Sequence, residues 1–326
     1  MHSPSDQESS GSAVAVAPDG QRIYRCGSLS YTPRQLYSLL FWLLVGAMSI
    51  GLANTVPSSI LPVQVKGMPL SDTSRWILLG GISTILNMTV CPYISVASDL
   101  YRSKWGRRIP FIVVSMPPVV LGLVLFAFTH KFGGLLSEWA QPFWETSPAT
   151  MTAVVMGLAM FIFQFFMMWV NSVIWYIFID IIPPEYFSKT LAIMRLGLQL
   201  SAAIFSYFLF PLAEAHAGAI FIGVAVFYGV GVSLMCIFVK EGIYPPLTEE
   251  QLARKNARGI DLLMSKLRGF KEFFSYTFCH RIYVYRYLVG VLASVSGAGS
   301  AFFYFLHSLQ FNLNDTYIGR MNGICG

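Results

Sequence analysis

The side chains in this chain that could do chemistry sit inside or at the ends of long apolar runs. Gln164, Asn171 and Trp175 fall on one helical face at i, i+7 and i+11. An amide beside an indole suits a sugar: the amide exchanges hydrogen bonds with hydroxyls while the ring covers the C–H face. The same amides could instead hold helices together. Asn54 and Asn87, in the middle of the first and second apolar runs, carry the same two readings. Arg195 lies one to two turns into the fifth run, in a polar stripe with Gln199 and Ser206. A charge there costs about 2.5 to 3.5 kcal/mol on insertion, so it either snorkels to the headgroups or pairs with Asp180. Pro117, Pro118, Gly46 and Gly51 read as kink and packing devices. The runs hold no cluster of nucleophiles, histidines or carboxylates, so an enzyme is not expected. No metal or cofactor is expected either, because Cys26, Cys91, Cys236, Cys279 and Cys325 are scattered without metal or disulfide spacing.

These residues must be positioned by membrane helices. Of 326 residues, 55% are hydrophobic and 12% charged, with mean hydropathy +0.59, far from the soluble norm of about 25% charged. Seven apolar runs follow one another: approximately 36–65, 76–97, 109–128, 151–179, 191–210, 220–239 and 287–306. The first and fourth exceed what a bilayer core requires and should tilt or project beyond it. The net charge of +6 is no nucleic-acid signal, because the basic residues fill the gaps between runs. All of the 22 Lys and Arg residues except Lys66, Arg75, Lys131 and Arg320 fall on one side of the resulting topology. That side is therefore expected to be cytoplasmic, with the N-terminus on it, in an inner or plasma membrane. This orientation excludes a seven-helix receptor or opsin.

Residues 1–33 are polar, without a cleavable signal pattern, and read as a disordered cytoplasmic tail. Residues 34–240 form a six-helix unit. In 241–282, a central cytoplasmic loop, Pro245-Pro246 stops the sixth helix and Thr248-Glu249-Glu250-Gln251 reads as a capping box. Ile260, Leu263, Leu267, Phe270 and Phe274 then recur at helical spacing, which predicts an amphipathic helix on the membrane face. Residues 283–326 hold one further span.

Between the second and third runs the chain reads Ser98-Asp99-Leu100-Tyr101-Arg102-Ser103-Lys104-Trp105-Gly106-Arg107-Arg108-Ile109-Pro110-Phe111. This resembles the loop between the second and third helices of the major facilitator superfamily. Within it, the loop is most similar to the branch of sucrose transporters and glycoside, pentoside or hexuronide cation symporters, roughly S-D-R-x-x-S-x-x-G-R-R-x-P-F. Leu100 and Ser95 depart from that pattern, where a basic residue and a glycine are usual. The resemblance implies an all-α polytopic bundle working by alternating access, with a small sugar or glycoside as substrate. It also implies a conformational gate: Asp99 facing the opposite half, Gly106 making a tight turn, and Arg107 and Arg108 pairing with an acid at the end of the fourth helix. Asp180, just before Pro183-Pro184, supplies that acid. The competing reading is that these arginines only enforce topology. Relatives coupled to a proton or sodium place carboxylates in the first or second helix, whereas here Gly46 to Pro57 is neutral, so coupling stays open. A non-transporting sensor or scaffold on the same fold is the alternative function. With one span after the loop instead of six, the chain is expected to be a truncated form, inactive alone, or a half that assembles with another chain.

Overall fold

The computed structural model describes residues 14–16, 22–26, 28–66, 68–90, 94, 98, 101–140, 147–242 and 281–298. The protein is an all-α membrane helix bundle with one small sheet at its N-terminal end. The described elements fall into two compact units. All elements through the sixth span belong to one, and the last helix belongs to the other.

The first unit opens with three antiparallel strands, β1 (Val14–Val16), β2 (Arg22–Cys26) and β3 (Leu29–Tyr31). Tyr24 stands opposite both Val14 and Tyr31, and Cys26 opposite Leu29. Within the segment read as disordered, the described residues 14–16, 22–26 and 29–31 form strands: the polar average of the tail hides short segments of β-branched and aromatic residues that are able to pair. Thr32 then caps α1 (Pro33–Lys66). Its hydroxyl accepts from the Gln35 amide at 3.4 Å, and its own amide donates to Gln35 Oε1 at 3.0 Å, a reciprocal capping box with Pro33 in the first turn.

The expected second span is helical in consecutive pieces: α2 (Asp72–Trp76), a π-turn over Ile77–Gly81, and α3 (Ile82–Thr89). After it come α4 (Ile109–Ala127), the unforeseen short helix α5 (Thr129–Ala140), and α6 (Pro148–Ile181). Ser147 caps α6 by accepting from the Thr150 amide at 3.3 Å. Pro183-Pro184 ends it and starts α7 (Pro184–Ile204), which continues through a π-turn over Phe205–Leu209 into a 3-10 turn at Phe210–Leu212. The sixth span is α8 (Ala213–Phe238). In the second unit, α9 (Arg281–Ala298) is the described part of the seventh run. The amphipathic helix read over 260–274 lies outside the described residues.

Among the described residues, five helices are long and apolar enough to cross a membrane: α1, α4, α6, α7 with its continuation, and α8. At 34 residues each, α1 and α6 reach about 50 Å, well beyond a hydrocarbon core of about 30 Å. Within the first unit α1 packs on α7 and α8, α4 lies between α6 and α8, and α3 and α5 lean on α6. Leu43, Val56 and Ile60 of α1, Ile112 and Leu123 of α4, Met167 and Val173 of α6, and Phe221 and Val232 of α8 are fully buried between them. Phe41, Val114, Leu121, Val154, Leu158, Val226 and Val230 point outward, where lipid is their solvent.

Lipid is as apolar as the helix faces, so close backbone approach is what holds such a bundle together. A Cβ at Gly46 would overlap Met235, and one at Gly51 would lie 2.8 Å from Ser201 Oγ, as expected of packing glycines. Gly122 sits directly on the Phe163 backbone, 3.0 Å from its Cα to a built Cβ, whereas nothing lies within 4 Å of Gly223. Gly122→Val should therefore lose about 1 to 3 kcal/mol by overpacking, and Gly223→Ala should be neutral or gain up to about 1 kcal/mol. Thermal unfolding of the two variants in detergent checks the contrast.

Candidate functional site

The loop before α4 is tight. Ser103 and Gly106 exchange backbone hydrogen bonds at 3.1 and 3.2 Å, and Ser103 Oγ donates to the Gly106 carbonyl at 2.7 Å. Gly106 has φ of 104°, a conformation open to glycine at little cost. A side chain there would also strike a carboxylate, since its Cβ would lie 2.6 Å from Glu241 Oε2.

That carboxylate caps α4. Glu241 accepts from the backbone amides of Arg107 at 2.9 Å, Arg108 at 3.0 Å and Ile109. The donors are among the amides a helix leaves unpaired at its start, and a negative charge there complements the helix dipole. Glu241 stands just past the end of α8, so it ties the exit of the sixth span to the entry of the third.

The arginine side chains turn toward α6. Arg107 Nη2 donates to Asp180 Oδ2 at 2.9 Å, and Arg108 Nη1 is ion-paired with the same oxygen at 3.0 Å. Arg108 is 5% exposed, and its guanidinium lies 4.9 Å over the Tyr176 ring, a cation–π contact that strengthens as water is excluded. Two guanidiniums and two carboxylates thus join the ends of α4, α6 and α8. Asp180 is placed for this by the proline pair that stops α6 one turn later.

A third contact comes from the N-terminal strands. Cys26 Sγ lies 3.3 Å from the Asp180 carbonyl and 3.5 Å from that of Ile182. Tyr24 meets Tyr186 at the start of α7, ring edge to ring face at 5.0 Å, with their hydroxyls 3.0 Å apart. Burial, and secondarily the charge of Asp180, push the Cys26 thiol above its ordinary value of 9.0. Burial also pushes the Tyr31 phenol up to about 12.

The polar residues within the spans separate into two groups. Asn54 and Asn171 bond to each other reciprocally, Nδ2 to Oδ1 at 3.1 Å one way and 3.3 Å the other, linking α1 to α6. Asn54 Nδ2 also donates to the Ile50 carbonyl at 3.0 Å. On the same face of α6, Trp175 is 37% exposed and Gln164 half-buried. Asn87 is exposed and bonded to its own helix through the Ser83 carbonyl, away from that pair. Arg195 and Gln199 are exposed on α7. Asp180 pairs with Arg107 and Arg108 and not with Arg195. Asp99 lies outside the described residues. Glu241 and the strands went unforeseen; the one signal for Glu241 was a carboxylate set directly at the end of an apolar run.

Against known proteins, the chain is similar to solute carrier family 45 member 3 of Mus musculus, at 26% identity over 141 residues. That is 43% of this chain, and it spans 23% of the mouse protein. No family model and no solved structure matches.

Asp180 serves two arginines, so removing it should cost more than removing either of them. Asp180→Asn should destabilise by about 3 to 5 kcal/mol, as for other buried pairs broken on one side, and Arg107→Gln by less. The double variant should fall short of the sum by about 1 kcal/mol or more; additive losses in thermal unfolding would show that no pair exists. The raised Cys26 thiol gives a pH signature: the thiolate is the reactive form, so maleimide should label Cys26 more slowly than free cysteine at pH 8. Its rate should still be climbing at the pH where the rate for a free thiol has already levelled off.

Proposed function

We propose that this chain is a membrane transporter bundle of the major facilitator type, moving a small sugar or glycoside by alternating access. The observation that carries this reading is the ionic cluster of Arg107, Arg108, Asp180 and Glu241 at one end of α4, α6 and α8. A static membrane anchor needs basic residues there for topology, but it needs neither a shared carboxylate nor a carboxylate seated on a glycine turn. Opposite charges joined across three helix ends give a junction with two states, closed when paired and open when the helices rock apart. The similarity to a protein named as a solute carrier agrees with a small solute as cargo.

In this reading the cluster and the N-terminus face the cytoplasm, as the distribution of Lys and Arg favours. Asp99 completes the gate toward the opposite half of the bundle. Asn171 and Trp175, on one face of α6, supply the amide and the indole of the sugar site, with Asn54 behind them and Gln164 further along the same helix. No carboxylate lies in the described part of α1 or α3, so transport is expected to run without a proton or sodium gradient.

The test is a thermal-shift screen of the purified protein with mono- and disaccharides. A ligand that binds the folded state raises stability by about 2.7 kcal/mol at a hundredfold excess over Kd, which reads as a rise of several degrees. A rise with one sugar class, abolished in Asn171→Ala and unchanged in Asn87→Ala, supports the site. If no sugar shifts the parent protein, the substrate assignment is wrong.

A further inference from the structure

The β2–β3 hairpin has more contacts than a solvated tail requires, and they converge on the ionic cluster. Tyr24 is 7% exposed and closes on Tyr186 at the first turn of α7. The Cys26 thiol faces the carbonyls of Asp180 and Ile182, where α6 ends. The last carbonyls of a helix lack partners within it, so the thiol satisfies groups that would otherwise turn to water. On the other side, a Cβ on Gly242 would lie 2.7 Å from Ser28 Oγ and 3.5 Å from the Leu29 side chain. The hairpin therefore abuts both carboxylate-bearing segments, Asp180 through its own backbone and Glu241 through the next residue. Its far end is fixed as well, because the Thr32 and Gln35 capping box joins β3 to α1 without slack.

We propose that the β2–β3 hairpin is a latch on the ionic cluster: docked, it holds the ends of α6 and α8 around Arg107 and Arg108, and lifted, it lets them part. This rests on the reading of the cluster as a junction that opens and closes. The sheet suits the task, since strands of three to five residues hold together weakly without a surface to pack on. Its formation and its docking are thus linked. Each contact is individually modest: an aromatic pair, a thiol to carbonyl bond and a van der Waals abutment.

Hydrogen exchange on the full chain in lipid nanodiscs tests the proposal. The amides of Arg107, Arg108 and Ile109 are protected by Glu241, so their exchange reports opening of the cluster, and the interior of α4 serves as an internal standard. Two release variants are compared with the parent: deletion of residues 1–31, and Tyr24→Ala, which leaves the chain intact and touches no cluster residue. The expected result is exchange about tenfold faster at 107–109 in the deletion, and a smaller acceleration in Tyr24→Ala, with the α4 interior unchanged. Equal protection at 107–109 in all three proteins overturns the latch and leaves the cluster standing. Acceleration throughout α4 also overturns it, because the hairpin would then be a general support of the fold. Unprotected amides at 107–109 in the parent overturn the cluster reading itself, and the latch with it.

Discussion

The rest of the first unit is arranged around one demand, the compensation of the Arg108 charge. At 5% exposure a guanidinium has lost most of its hydration, and only partners held in place can replace it. Asp180 is such a partner because α6 delivers it at a fixed height and Pro183-Pro184 prevents the helix from carrying on past it. Tyr176, one turn earlier on the same helix, covers the cation with its ring. Glu241 holds the backbone of Arg107 and Arg108, which sets where their side chains start. It can do so only because Gly106 turns with positive φ and leaves room for the carboxylate. Each of these features is local, yet together they require three helix ends to meet within a few ångströms. The packing of α4 between α6 and α8 brings those ends together.

The same logic separates the ends of the bundle from its middle. Charges occur at the ends, where part of the compensation is supplied by helix termini and their unpaired amides and carbonyls. Along α1, α4 and α8 the interior is held mainly by small residues and apolar contacts, with the Asn54–Asn171 pair as a polar tie between α1 and α6. In the proposed reading, rocking the helices would break the ion pairs of the cluster, which makes those pairs a point of control over the motion.

Much of this was legible in the residues because the membrane makes sequence unusually explicit. The apolar runs follow from the demand that every spanning backbone group be satisfied, the gaps filled with Lys and Arg from topology, and the end of α6 from the proline pair after Asp180. The pairing of Arg107 and Arg108 with Asp180 was expected from the resemblance of the loop before α4 to the major facilitator pattern, and the packing role of Gly46 and Gly51 from their size. The hairpin was not legible, since Ile23, Tyr24 and Tyr31 are too few to lift a polar window of 33 residues. Its stability comes from a docking surface contributed by residues more than 150 positions away. Glu241 was missed for a related reason: a carboxylate that binds backbone amides has no partner side chain whose charge would announce it. Asn87 and Asn171 looked alike in sequence. Only the rotation of α3, which no spacing rule fixes near a π-turn, puts one on the surface and the other against α1.

Within the bundle, donor counting assigns Asn54 and Asn171 different work. A side-chain amide has two N–H donors and an oxygen with two lone pairs. Asn54 uses its Nδ2 group on both the Ile50 carbonyl and Asn171 Oδ1, which exhausts its donors. Asn171 gives a single bond from Nδ2, to Asn54 Oδ1, so one donor remains. Under the proposed sugar reading, a substrate hydroxyl could take this donor at Asn171 without breaking the pair with Asn54. One turn further along α6, Trp175 at 37% exposure offers a flat apolar face beside that donor. A rigid amide next to a part-exposed indole recognises a molecule with both a hydroxyl edge and a C–H face. In the proposed sugar site, that combination would favour a sugar over a purely apolar solute, which would make no use of the amide, and over an ion, which would make no use of the ring.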